Sequence, residues 1–214
     1  GVGVLWNRQN VDAIGDNVGH YVQVAKDPVS GLPRLIYTDD ISTLQAPLKY
    51  ATCADASPSQ TCEHAQGNWT IGYVEQIFGV KLGSWASLTF RSNGTPVAAY
   101  QDETNKMLKM ATCTANCSNA ATATWSVTTV DPGPFTGWYT SLRVDSLGQA
   151  HISYYDQLYS RLRYAVQSGT TNSFALSTVA PAGSQGQSSF TLAPPGTNFA
   201  YANSNELYYY PSGL

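Results

Sequence analysis

"SLRVDSLGQAHISYYDQLYSRLRYA", residues 141–165, decides the fold. Leu142 and Val144 alternate with polar neighbours, and Leu147-Gly148 then turns the chain. Ile152 and Tyr154 alternate again, a polar turn follows Asp156, and Leu162 and Tyr164 open a third strand. Period-two alternation between turn signals is the mark of consecutive antiparallel strands.

The same pattern recurs along the chain, and repeats at a fixed spacing outweigh local propensity. The units carry Tyr-x-Asp/Asn at Tyr37/Asp39, Tyr100/Asp102, Tyr154/Asp156 and Tyr201/Asn203. After a polar turn each continues into Leu-x-Tyr/Met, at Leu48, Leu108, Leu162 and Leu207. Upstream lies a strand ending in a turn, with Val24, Leu88, Leu142 and Phe190 in register. Downstream lies a strand opened by Trp69, Trp125 or Phe174. Four short strands in about 40 to 50 residues predict one blade of a β-propeller.

The chain therefore reads as a single all-β domain over residues 1–214, a four-bladed β-propeller of four-stranded antiparallel blades. The repeat units are about 19–75, 83–131, 137–180 and 186–214. The segment Trp6–Asp12 repeats the pattern of Trp69–Glu75 and Trp125–Asp131, in which Val and an acid end the unit. The fourth unit stops at "LYYYPSGL", after its third strand. Strand 4–12 is expected to complete that last blade and close the ring, which removes the exposed edges. The tyrosines step by 63, 54 and 47 residues, and the return from Tyr201 through the chain ends to Tyr37 is 50.

Composition agrees. Charged residues make up only 12%, with 14 Tyr and 18 Gly, which argues against long helices and disorder. A net charge of −3 offers no basic footprint, so nucleic acid is not an expected partner. No apolar run approaches the length of a membrane span. The cysteines fall as Cys53/Cys62 and Cys113/Cys117, in the same loop of successive units. That placement favours two local disulfides over a zinc set, and disulfides imply a secreted, periplasmic or cell-surface location.

Residues 141–165 resemble a repeat of secreted and surface proteins of bacteria. Its form is Ser-Leu, Asp, a Gly turn, His-Ile-Ser-Tyr-Tyr-Asp, then Leu-Lys-Tyr-Ala. The resemblance implies the propeller fold and the extracellular compartment, and brings no agreed activity. Four blades also resemble hemopexin-like propellers, by architectural analogy alone.

A feature present in every blade serves folding first. Tyr-x-Asp is expected to pack its tyrosine between blades and to use its Asp to hold backbone N–H groups in the next loop. The alternative is a ring of acids, Asp39, Asp102 and Asp156, holding Ca2+ or another ion at the channel mouth. No other cofactor is expected. Residues that break the repeat are free to serve a ligand. On the loop face these are His20, Tyr21, Trp85, Trp138, Tyr139 and Tyr155, with Asp40, Glu103 and Gln157 just beyond. Aromatic planes beside carboxylates and amides suit sugar, and Trp and Tyr also suit protein.

The sequence thus points first to a non-catalytic, lectin-like binding module whose partner is carbohydrate or a cell-surface protein. The alternatives are an extracellular hydrolase or lyase using channel-mouth carboxylates, and an ion-binding module. None of His20, His64 and His151 lies in a metal-ligand motif.

Overall fold

The computed structural model describes residues 10–12, 17–42, 44–53, 62, 69–180, 183–193, 196–203 and 206–210. They form four antiparallel sheets in chain order. Sheet 1 holds β1 (Val18–Lys26), β2 (Pro33–Asp39), β3 (Leu48–Cys53) and β4 (Trp69–Glu75). Sheet 2 holds β5 (Leu82–Phe90), β6 (Pro96–Asp102), β7 (Met107–Ala115) and β8 (Thr124–Asp131). Sheet 3 holds β9 (Trp138–Val144), β10 (Ala150–Asp156), β11 (Arg161–Gln167) and β12 (Phe174–Ala180). Sheet 4 holds β13 (Ser184–Ala193), β14 (Gly196–Asn203) and β15 (Glu206–Tyr210).

Each sheet is a meander, and the sheets pack face to face through their first strands, β1 on β5, β5 on β9 and β9 on β13. Two cores fill the gaps. Ile36, Leu48 and Tyr50 meet Leu82, Leu88 and Tyr100 between sheets 1 and 2. Val97, Leu108 and Met110 meet Leu142, Ile152 and Tyr154 between sheets 2 and 3. The disulfides Cys53–Cys62 and Cys113–Cys117 are formed. The loop of the second lies on sheet 1, where Cys117 O accepts from the Tyr50 hydroxyl at 3.1 Å and Ala120 N donates to Thr52 Oγ1 at 2.9 Å. Gly72 makes room for it, since a Cβ there would stand 1.8 Å from Ala120 O. Residues 4–9, expected to complete sheet 4, lie outside the described residues.

The Tyr-x-Asp repeat explains how the sheets are joined. Residues two apart on a strand share a face, so Tyr and Asp point the same way. Register places a cation opposite the tyrosine, with Tyr37 facing Lys49, Tyr100 facing Lys109 and Tyr154 facing Arg163. An acid from earlier in the chain completes each set. Glu75 accepts from the Tyr100 hydroxyl and from Lys109, both at 2.7 Å. Asp131 accepts from the Tyr154 hydroxyl at 2.6 Å and from Arg163 Nη1. Asp12 accepts from the Tyr37 hydroxyl at 2.8 Å and from Lys49 at 3.0 Å.

Burial and the neighbouring carboxylates push the pKa of all three tyrosines up, which keeps the phenols as donors. Burial disfavours the Lys49 ammonium, but Asp39 and Asp12 outweigh it and raise its pKa. Removing one member of such a set strands the others. Asp131→Ala is therefore expected to cost about 3 kcal/mol, read as a lower urea midpoint with an unchanged slope. A midpoint matching the parent would show that the set does not bind the sheets.

Candidate functional site on the aromatic face

The first strands begin with a shared device. Gly19-His20-Tyr21, Gly83-Ser84-Trp85 and Gly137-Trp138-Tyr139 occupy equivalent places. In each, the glycine and the second residue after it have positive φ: 96° and 50°, 87° and 57°, 89° and 52°. Register breaks at the same place in all three sheets. Such bulges re-aim side chains. A bulky residue in the left-handed region costs on the order of 1 kcal/mol, and strain of this kind gathers at working sites.

The result is one continuous aromatic surface containing all six repeat-breaking residues. Ring centroids lie 6.5 Å apart for His20–Tyr21, 5.0 Å for Tyr21–Trp85 and 4.2 Å for Trp85–Tyr139. Trp85 and Trp138 stack at 5.7 Å, and Tyr139 reaches Tyr155 at 6.3 Å. Each is partly exposed or exposed. Trp138 Nε1 is buried without a partner among the described residues.

Carboxylates stand at the edge of this surface. Position 40/103/157 is fixed alike in each sheet by a backbone bond. Asp40 N donates to Asn17 O at 3.2 Å, Glu103 N to Lys81 O at 2.9 Å and Gln157 N to Phe135 O at 3.0 Å. Ser84 Oγ donates to Glu103 Oε2 at 2.7 Å. Asp40 lies 3.8 Å from His20 Nδ1, and Asn17 Oδ1 lies 3.1 Å from His20 Nε2. Burial, and then the charges of Glu103 and Asp40, push the pKa of the Tyr21 phenol up, against a hydrogen bond with Ser84 that pulls it down.

The acid ring behaves differently. Asp39, Asp102 and Asp156 are buried. Asp39 pairs with Lys49 at 2.6 Å, Asp102 with Lys109 at 3.3 Å and Asp156 with Arg161 at 2.9 Å. Asp102 and Asp156 also accept backbone N–H groups of the following turn, from Asn105 and Tyr159. Among the described residues no three His, Cys, Asp or Glu side chains gather as a metal set. The glycines, Ser84 and Asn17 were not singled out from sequence. The thrice-repeated Gly-x-aromatic at the start of a strand was the signal that marks them.

No family model matches the chain, and no curated protein matches it. Several solved structures resemble it, two of them as follows. One is an exo-beta-1,3-galactanase from Clostridium thermocellum, with 12% identity and a TM-score of 0.48, covering 88% of this chain and 44% of that one. The other is an alpha-L-arabinofuranosidase from Clostridium thermocellum, with 14% identity and a TM-score of 0.41, covering 78% of this chain and 65% of that one. This chain spans less than two thirds of either. Both carry the names of carbohydrate-cleaving enzymes, against the expectation of a non-catalytic binding module. Asp40 and Glu103 put partly exposed carboxyl groups at the rim of the aromatic face.

Gly83 tests the device that builds the face. A Cβ there would lie 2.5 Å from Thr38 Cγ2 and 2.8 Å from Leu48 Cδ1, at a φ of +87°. Gly83→Ala is expected to cost about 2 kcal/mol and to alter the near-ultraviolet circular dichroism of the stacked tryptophans. An unchanged melt and spectrum would mean that the bulge does not set Trp85.

Proposed function

We propose that the chain is an extracellular carbohydrate hydrolase working on the aromatic face. The observation that carries this is the pair Asp40 and Glu103, fixed at equivalent rim positions and in contact with His20 and Ser84 of the strands that carry the aromatic surface. Sugar C–H faces pack on the rings while carboxylates and amides hold hydroxyls. One carboxyl group gives its proton to the glycosidic oxygen as the C–O bond breaks. The other takes a proton from the water whose oxygen forms the new bond to the anomeric carbon, so one water is consumed per cleavage. The two disulfides fit an oxidising compartment, and secretion belongs to this proposal. So does the kinship of the four units with the bacterial surface-protein repeat.

Incubation with galactan, arabinan and xylan, followed by reducing-end release, is the test. Glu103→Gln and Asp40→Asn are each expected to lower the rate about 100-fold or more, with an unchanged melt. Full activity in both variants would overturn the assignment, and no release from any of these polysaccharides would count against the hydrolase itself.

We further propose that the four sheets close into a ring. On β1, Val22 is 50% and Val24 68% exposed, whereas the equivalent Ala86 and Leu88 of sheet 2 are buried. On β15, Leu207 is 82% and Tyr209 67% exposed, whereas the equivalent Leu108 and Met110 are buried. Grooves mark both faces, one lined by Val11, Val18, Val22 and Leu35, the other by Phe190, Phe199 and Tyr209. Glu75 and Asp131 end the outer strands of sheets 1 and 2, and Asp12 accepts from a tyrosine hydroxyl as they do. Removing residues 1–9 leaves Asp12 in place and is expected to lower the melting temperature and expose an edge that self-associates. A monomer melting like the parent would sink closure.

A further inference from the structure

We infer that sheet 3 carries an extended subsite for the non-reacting part of a neutral glycan, with the scissile bond held over sheets 1 and 2. This rests on the hydrolase reading above. Three independent repeat positions change chemistry together on passing to sheet 3. The rim position is Asp40 and Glu103 in sheets 1 and 2, but the uncharged Gln157 in sheet 3. The residue after the bulge glycine is His20, then Ser84, then Trp138. The first two contact the rim carboxylate of their own sheet, and Trp138 instead stacks on Trp85. The residue before the buried Asp is Thr38, then Gln101, then Tyr155. Tyr155 extends the aromatic surface through Tyr139, away from the carboxylates.

The backbone frame is the same in all three sheets, since Gln157 makes the rim bond that Asp40 and Glu103 make. The difference is therefore confined to side chains. Sheet 3 keeps the platform and omits the acid. Asp156, next to the rim residue, pairs with Arg161 at 2.9 Å. Such a surface binds by stacking and by amide hydrogen bonds, and its rim residue carries no charge to hold a uronate. Binding energy from this remote part of a substrate is spent at the reacting centre, so it raises the rate on longer chains.

The probe is a ladder of disaccharide to hexasaccharide fragments of whichever neutral polysaccharide above is cleaved fastest, with polygalacturonate as the charged comparison. kcat/KM is expected to rise about tenfold or more along the ladder and then level off. Tyr155→Ala is expected to flatten that rise, and polygalacturonate to be neither bound nor cleaved. Equal rates along the ladder, an unaltered rise in Tyr155→Ala, or equal use of polygalacturonate would overturn the subsite. If nothing is cleaved, the hydrolase reading fails separately. Affinity electrophoresis of wild type and Tyr155→Ala through gels containing each of galactan, arabinan and xylan then decides the subsite. Retardation by at least one of them that the variant loses supports it, and no retardation, or equal retardation of both proteins, overturns it.

Discussion

A buried acid shared by a tyrosine hydroxyl and a cation sets the geometry of this protein. The acid ends one sheet's outer strand, while the tyrosine and the cation sit opposite each other on the next sheet's inner strands. None of the three can be dry alone, because each would carry an unpaired polar group or charge. Meeting together they fix the distance and the register between sheets. Apolar packing fills the gap but does not choose a register with the same stringency.

The aromatic face inherits its order from that joint. With the sheets fixed, the first strands run side by side, and the glycine bulges at 19, 83 and 137 turn Tyr21, Trp85 and Tyr139 toward one another. The hydroxyl of Thr140 in sheet 3 donates to Trp85 O in sheet 2, so the strained residue is held from the neighbouring sheet as well. The rim bonds at 40, 103 and 157 then place carboxylate or amide beside the rings. Strain, stacking and charge thus arise in one place from a structural repeat, and only side-chain identity differs from sheet to sheet.

The strands and their order were legible because alternation is local. Tyr-x-Asp and Leu-x-Tyr predicted β2, β6, β10 and β14 and the strands after them, and the tryptophan pattern predicted β4 and β8. The cysteine pairing was legible from its place in the repeat. What stayed hidden was long-range. Lys49, Lys109 and Arg163 stand in the "x" of Leu-x-Tyr, and nothing local says that they meet an acid from the preceding unit. For the same reason a channel ring of Asp39, Asp102 and Asp156 was a fair expectation, although each is occupied by a cation within its own sheet. The six aromatic residues could be named, whereas the bulges that gather them leave only the thrice-repeated Gly-x-aromatic as a trace.

The fourth sheet shows how strictly the joint is balanced. Where β4 and β8 end in Val-Glu and Val-Asp, β12 ends in Val179-Ala180, so the preceding outer strand offers sheet 4 no acid at that place. Opposite Tyr201 the register places Tyr208 where the other sheets have Lys or Arg. The two rings stack at 5.4 Å, nearly parallel at 11°. Losing the acid alone would strand a cation, and losing the cation alone would strand an acid, each costing about 3 to 5 kcal/mol. Replacing both with apolar surface and a ring stack avoids either cost. That joint is left to Ser153–Ser188 and Tyr164–Thr197 hydrogen bonds and to the Tyr164, Phe190 and Phe199 cluster. Among the described residues it lacks the charge-set register of the other joints.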